Sequence, residues 1–242
     1  MPRKMIRIGS QAIGLDARPD RLDLRDRVYQ PPLGNLPSEY PSDAKVKKLL
    51  PAYAKAGLIR NQGSEGACTG FGLAAAINYQ RFVRALDVEG TAPKSLRRVS
   101  PAMLYQLARL YDEWPGEDYE GSSCRGALKG WHRHGVCSEE LWPYTTDKKG
   151  KRIFEAPKHD PKDRANAKSN WDIEALECML GVYYRVDVRS VVDMQAAIRQ
   201  IGVLYVSATV HEGWEVETSS VLNGHADLAR IRAVPKPKDG GG

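Results

Sequence analysis

Between Asn61 and Phe71 the chain reads Asn-Gln-Gly-Ser-Glu-Gly-Ala-Cys-Thr-Gly-Phe, and a helix-forming run to Leu86 follows at once. From Phe71 to Ile77 that run is apolar nearly all round (Phe71, Leu73, Ala74, Ala75, Ala76, Ile77), the mark of a helix at the centre of a core rather than on a surface. Glycines fill the gap between Gln62 and Cys68. A thiol in the first turn of a helix feels the positive end of the helix dipole, which favours the nucleophilic thiolate. A Gln amide just upstream can donate a hydrogen bond to an oxyanion formed at the carbonyl under attack. The chemistry suggested is a cysteine nucleophile with an oxyanion hole. The plainer alternative is a buried structural cysteine in a core helix.

The stretch resembles the nucleophile segment of the papain family of cysteine peptidases, with its local pattern Cys-Gly-[Ser/Ala]-Cys-[Trp/Tyr]. Gly66, Ala67 and Cys68 match in order, and Gln62 falls where the family keeps its oxyanion-hole Gln. The resemblance also implies a substrate-binding role for Gly66. Two positions depart: Glu65 replaces a disulfide-forming Cys, and Thr69 replaces the aromatic residue after the nucleophile, which is expected to open the site beside the thiol. Far downstream, Val221-Leu222-Asn223-Gly224-His225-Ala226 is similar to the family's His segment. His225 would take the thiol proton and return it to the leaving amine. His132, His134, His159 and His211 are read as surface or packing residues. The family completes its triad with an Asn on an Asn-Ser-Trp-Gly motif, and no Asn follows position 225. Asp227, Arg230 and Arg232 stand where an apolar barrel strand is expected. A frameshift or premature stop after Ala226 would produce this pattern.

Composition narrows the classes. Apolar content of 42% and charged content of 27% describe an ordinary globular protein. The net charge of +6 comes from scattered basic residues, and the denser run Lys148–Lys168 also holds Glu155, Asp160 and Asp163. That is a solvated loop rather than a nucleic-acid face, which would be more one-sided and richer in stacking aromatics. No window reaches transmembrane length, and the N-terminus lacks the apolar core of a signal peptide. The cysteines Cys68, Cys124, Cys137 and Cys178 show no paired metal-ligand spacing. With one as nucleophile, three remain, an odd number for a disulfide framework, and a reducing, cytoplasmic setting is expected.

Along the chain, residues 1–35 read as an N-terminal extension laid over the body, 36–145 as a helical lobe with the nucleophile, and 146–242 as a truncated β-rich lobe with the catalytic His. Leu36–Pro41 resembles the start of a mature papain-type chain. A basic helix is expected at about 44–56, and a second from Ser100-Pro101, an N-cap and first-turn pair, to Pro115-Gly116. Ser122-Ser123 cap another helix, with Ala127, Leu128 and Trp131 inward and Gly135 at its end. Tyr183–Val188 reads as a strand, Val191–Gln200 as an amphipathic helix ended by Gly202, and Val203–Val210 as the strongest strand of the chain.

The resemblance therefore implies an α+β, papain-like two-lobed fold: a helical lobe plus a partial antiparallel β-barrel. The implied activity is peptide-bond hydrolysis through an acyl-enzyme thioester, with Cys68 as nucleophile, His225 as base and acid, and Gln62 with the Cys68 backbone N–H as oxyanion hole. No metal or organic cofactor is required, and the expected partner is a peptide or protein substrate met by a monomer, with no nucleic acid or membrane. Two alternatives stay open. One is a remnant that no longer cleaves and acts as a binding module; the other is acyl transfer from the same thiol to an amine.

Overall fold

The computed structural model describes residues 4–8, 11–32, 34, 42–90, 93, 96–114, 119–148, 152–153, 155–159, 162–163, 170–211 and 214. In chain order these hold β1 (Lys4–Ile8), β2 (Gln11–Leu15), β3 (Ala17–Arg18), α1 (Asp43–Lys55), α2 (Cys68–Glu89), α3 (Pro101–Leu110), β4 (Ser122–Ser123) and α4 (Cys124–His134). They continue with β5 (Thr145–Thr146), β6 (Arg152–Ile153), α5 (Trp171–Ala175) with a short 3-10 turn at Leu176–Cys178, and α6 (Val191–Ile201).

The core lies where α2, α3 and α4 meet, as the all-round apolarity of α2 requires. Leu73, Ala74 and Ile77 of α2 pack with Met103, Leu104, Leu107 and Ala108 of α3 and Ala127 of α4, closed by Val136, Trp142 and Ala175. Two glycines let the helices approach. A Cβ on Gly70 of α2 would lie 2.6 Å from the Pro101 carbonyl, and one on Gly130 of α4 would lie 2.5 Å from Leu107 Cβ. A second apolar cluster, Leu49, Leu58 and Phe82, fastens α1 to the outer end of α2.

Local chemistry sets the helix starts. Ser42, Ser100, Ser123 and Ser190 precede α1, α3, α4 and α6, and each side chain accepts a backbone N–H one turn on. α6 stops at Gly202, which takes φ +95°, a conformation only glycine adopts cheaply. α3 ends at Leu110, before Pro115-Gly116, which lie outside the described residues.

The strands depart from expectation. β1 and β2 form an antiparallel hairpin, β3 runs parallel to β4, and β5 pairs antiparallel with β6. Among the described residues all sheets are two-stranded, so the fold is mixed helix and short strand, compatible with α+β, and the partial barrel of the second lobe is not among them. Val203–Val210 is not a strand but an irregular segment, with Val206 68% exposed. Its β-branched, apolar composition is a β signal, but a strand exists only where a neighbour completes its hydrogen bonds. Tyr183–Val188 likewise contributes a single bridge, Arg185 to Val28. Among the described residues no helix is long and apolar enough to cross a membrane.

Candidate active site

The turn before α2 places three of the sequence-selected residues together. Gly63 takes φ +70° and its N–H is held by Asn61 Oδ1 at 2.8 Å, which turns the chain sharply towards the helix. Gln62 is buried, its Nε2 donating to the Glu65 carbonyl at 2.8 Å and its own carbonyl accepting from Tyr144 Oη at 3.2 Å. Its carboxamide is thereby fixed within the turn that leads to Cys68. Cys68 is the first residue of α2, preceded by Ala67, and neither a side-chain cap nor an acidic first turn neutralises the positive end of the helix.

Thr69 closes ground rather than opening it, against the sequence expectation. It is 2% exposed, its Oγ1 lies 2.6 Å from Ser122 Oγ, and its carbonyl accepts from Tyr205 Oη at 2.8 Å. These bonds tie the first turn of α2 to β4 and to the segment after α6.

Across the thiol lies a residue that sequence reasoning missed. Asp16, between β2 and β3, packs against both glycine-lined sides of the turn. A Cβ on Gly66 would meet Asp16 Cβ and Oδ2, both at 3.1 Å, and one on Gly121 would collide with the Asp16 carbonyl. An Asp16 backbone hydrogen bond also reaches the Cys68 sulfur. The main chain from Asp16 to Arg18 thus passes beside Cys68 in an extended form, paired with β4. The detectable signal is the alternation of acidic and basic residues, Asp16, Arg18, Asp20, Arg21, Asp23, Arg25, Asp26, in a segment otherwise read as a mere extension.

The electrostatics reverse one expectation. Burial pushes the Cys68 thiol up from its ordinary range, and the Asp16 carboxylate adds to the rise. Backbone bonds from Asp16, Thr69 and Cys68 itself pull the other way but do not win. The helix terminus favours the thiolate, yet with Asp16 seated the loss of water dominates. Cys124, at the start of α4, is also raised by burial, although hydrogen bonds from Tyr205 and Ser207 oppose it.

His225, with the rest of Val221–Ala226, lies outside the described residues. Of the other histidines, His132 Nδ1 sits 2.9 Å from the Leu180 carbonyl and His134 Nε2 sits 2.6 Å from Tyr111 Oη, both far along α4 from its start at Cys124. A cavity of 710 Å³ between α1, α2 and α6 is lined by residues including Leu49, Tyr53, Ala76, Tyr79, Val83 and Ile201, and does not include Cys68.

No protein-family model matches this chain, and no curated protein matches it. Among solved structures it is similar to xylellain, a cysteine protease from Xylella fastidiosa, with a TM-score of 0.47 and 23% sequence identity over 79% of this chain. The chain covers 64% of xylellain. A likeness of that degree assigns neither a family nor a reaction.

Proposed function

We propose that the chain is a papain-like cysteine peptidase whose nucleophile is covered by its own N-terminal segment. The observation that carries this reading is the junction itself. Gln62, Gly66 and Cys68 share one turn at the uncapped start of a buried helix, and an extended main chain lies past the thiol as a peptide would.

In this reading the imidazole of His225 takes the Cys68 proton and the thiolate attacks the scissile carbonyl carbon. The Cys68 backbone N–H and the Gln62 carboxamide hold the resulting oxyanion. The intermediate collapses to a thioester as the C–N bond breaks and His225 protonates the leaving amine; water, deprotonated by His225, then cleaves the thioester. Gly66 leaves room for substrate main chain where Asp16 now sits. A reducing compartment, a second β-rich lobe and a peptide or protein substrate belong to the same proposal.

The raised Cys68 pKa favours a second reading, a binding module in which the thiol stays protonated and no bond is cleaved. Hydrolysis of fluorogenic peptidyl amides, assayed across a set of varied side chains, separates the two. Peptidase activity is expected to be lost in Cys68→Ala and reduced at least about 100-fold in His225→Ala, in line with the usual worth of a general base. Activity indifferent to Cys68→Ala, or no hydrolysis of any substrate once residues 16–26 are displaced, leaves the binding module as the better account.

A further inference from the structure

The N-terminal segment is held at a second place, on α4, well along the chain from Asp16. Arg125 is the second residue of that helix, and its side chain is only 5% exposed. Its backbone N–H donates to Asp20 Oδ1 at 3.0 Å. Its guanidinium meets Asp26 Oδ2 at 2.5 Å and Glu113 Oε1 at 2.7 Å, and also donates to the Arg21 carbonyl. Asp26 is shared with Arg185 at 3.0 Å, and Lys129 approaches Glu113 at 3.7 Å. The Arg21 N–H donates to Glu113 Oε2 at 2.9 Å, while the Arg18 and Arg21 guanidinium groups lie over the Trp114 ring.

Without residues 16–29, this patch presents Arg125, Lys129 and Arg185 against Glu113 and against Asp112, whose carboxylate is held by the Ser123 N–H at 3.0 Å and the Tyr119 hydroxyl. The surplus is positive, and one of the cations is buried, where an unmatched charge is costly. The helix N-terminus adds an N–H aimed at an anion. Besides Glu113, the carboxylates that answer it are Asp20 and Asp26, six positions apart on one stretch that turns at Asp23–Asp26, where the Asp26 N–H donates to the Asp23 carbonyl at 3.1 Å. The contacts to Arg125 and Arg185 run to side-chain carboxylates, to the Arg21 and Arg27 carbonyls and to the Tyr29 N–H, so the patch reads two carboxylates carried on either side of a turn, together with main chain.

We propose that the start of α4, with Arg125 and Arg185, is a binding site for acidic peptide segments that carry carboxylates on either side of a turn, and that residues 16–26 fill it in cis. The site is distinct from the Cys68 junction and takes its ligand whether or not Cys68 performs chemistry. Seating the segment there is what carries Asp16 over Cys68. An external segment with similarly spaced carboxylates would compete for the site and uncover the thiol.

The test uses the full chain and a fluorescent peptide of its own residues 14–29. The tethered segment competes at an effective concentration on the order of millimolar, so the native chain is expected to bind the peptide poorly. A chain carrying Asp20→Ala and Asp26→Asn is expected to bind it at least about tenfold more tightly by fluorescence anisotropy, since two charge-assisted bonds of the competitor are gone. The same two changes placed in the peptide should abolish that gain. Adding the surface change Arg185→Ala to the double variant should weaken binding about threefold or more, with circular dichroism unchanged. A peptide lacking both carboxylates that binds as well as the native one, or a double variant that binds no better than the native chain, overturns the proposal. Neither outcome depends on peptidase activity, so failure here is distinguishable from failure of the catalytic reading.

Discussion

Ser100 is fully buried and uses its hydroxyl twice: Oγ accepts from the Met103 N–H at 3.0 Å and donates to the Trp142 carbonyl at 2.5 Å. Ser100→Ala loses the cap and leaves both backbone groups without that partner. Stability should fall by about 2–4 kcal/mol, the sum of a lost cap and an unsatisfied buried carbonyl. Urea denaturation measures it, and a loss below about 1 kcal/mol would show that water replaces the hydroxyl. The cap was legible because Ser-Pro before a helical run is a local signal. Asp16 was not, because its role depends on Gly66, Cys68 and Gly121, which only the fold brings to it. Cys137 makes a second prediction. Burial, followed by the nearby Glu174 carboxylate, pushes its thiol up to about 12. A pKa raised by folding contributes stability that is complete below the unfolded thiol's value, near 8.5, and is lost as pH rises through the folded value. Urea midpoints should therefore decline from about pH 8.5 towards 12, less steeply in Cys137→Ala. Parallel declines in the two proteins would remove Cys137 as a cause.

At the scale of elements, helix starts and ends were readable from serines, glycines and apolar spacing, whereas strands were not. Val203–Val210 carries the composition of a strand, yet it is tied to α2 by the Tyr205 hydroxyl at Thr69 rather than by a ladder. Composition reports how well a residue suits a pleated surface, and whether a partner lies alongside is a tertiary fact. The α3–α4 contact tests the packing account. Gly130→Ala should gain up to about 1 kcal/mol of helix propensity. The new Cβ would stand 2.5 Å from Leu107 Cβ and 3.2 Å from the Leu107 carbonyl carbon, so neither a rotamer change nor a side-chain shift alone relieves it. Overpacking of this kind costs about 1–3 kcal/mol, and the net expectation is a destabilised chain with a lower thermal midpoint. A rise in that midpoint would mean that α4 withdraws from α3 at little cost.

For the whole molecule, the N-terminal segment joins parts that the sequence alone leaves separate. Residues 16–18 line the Cys68 junction, residues 20–26 are bound to α4, and Tyr29 reaches Gln200 of α6 at 2.9 Å. That Gln62, Gly66 and Cys68, half of the candidate site, lie together was legible because they are contiguous. The covering of that half was not, since charge alternation announces an ion-paired segment but not its address. The central claim is that Cys68 is a nucleophile served by His225, covered but built to react with peptide. The most direct measurement treats the native chain and the Asp20→Ala, Asp26→Asn variant with a peptidyl epoxide and maps adducts on all four cysteines by mass spectrometry. The account predicts a single adduct at Cys68, formed about tenfold faster or more in the variant as burial of the thiol is relieved, and lost when His225→Ala is added. Adducts spread evenly over Cys68, Cys124, Cys137 and Cys178, or a Cys68 adduct indifferent to His225, would contradict it.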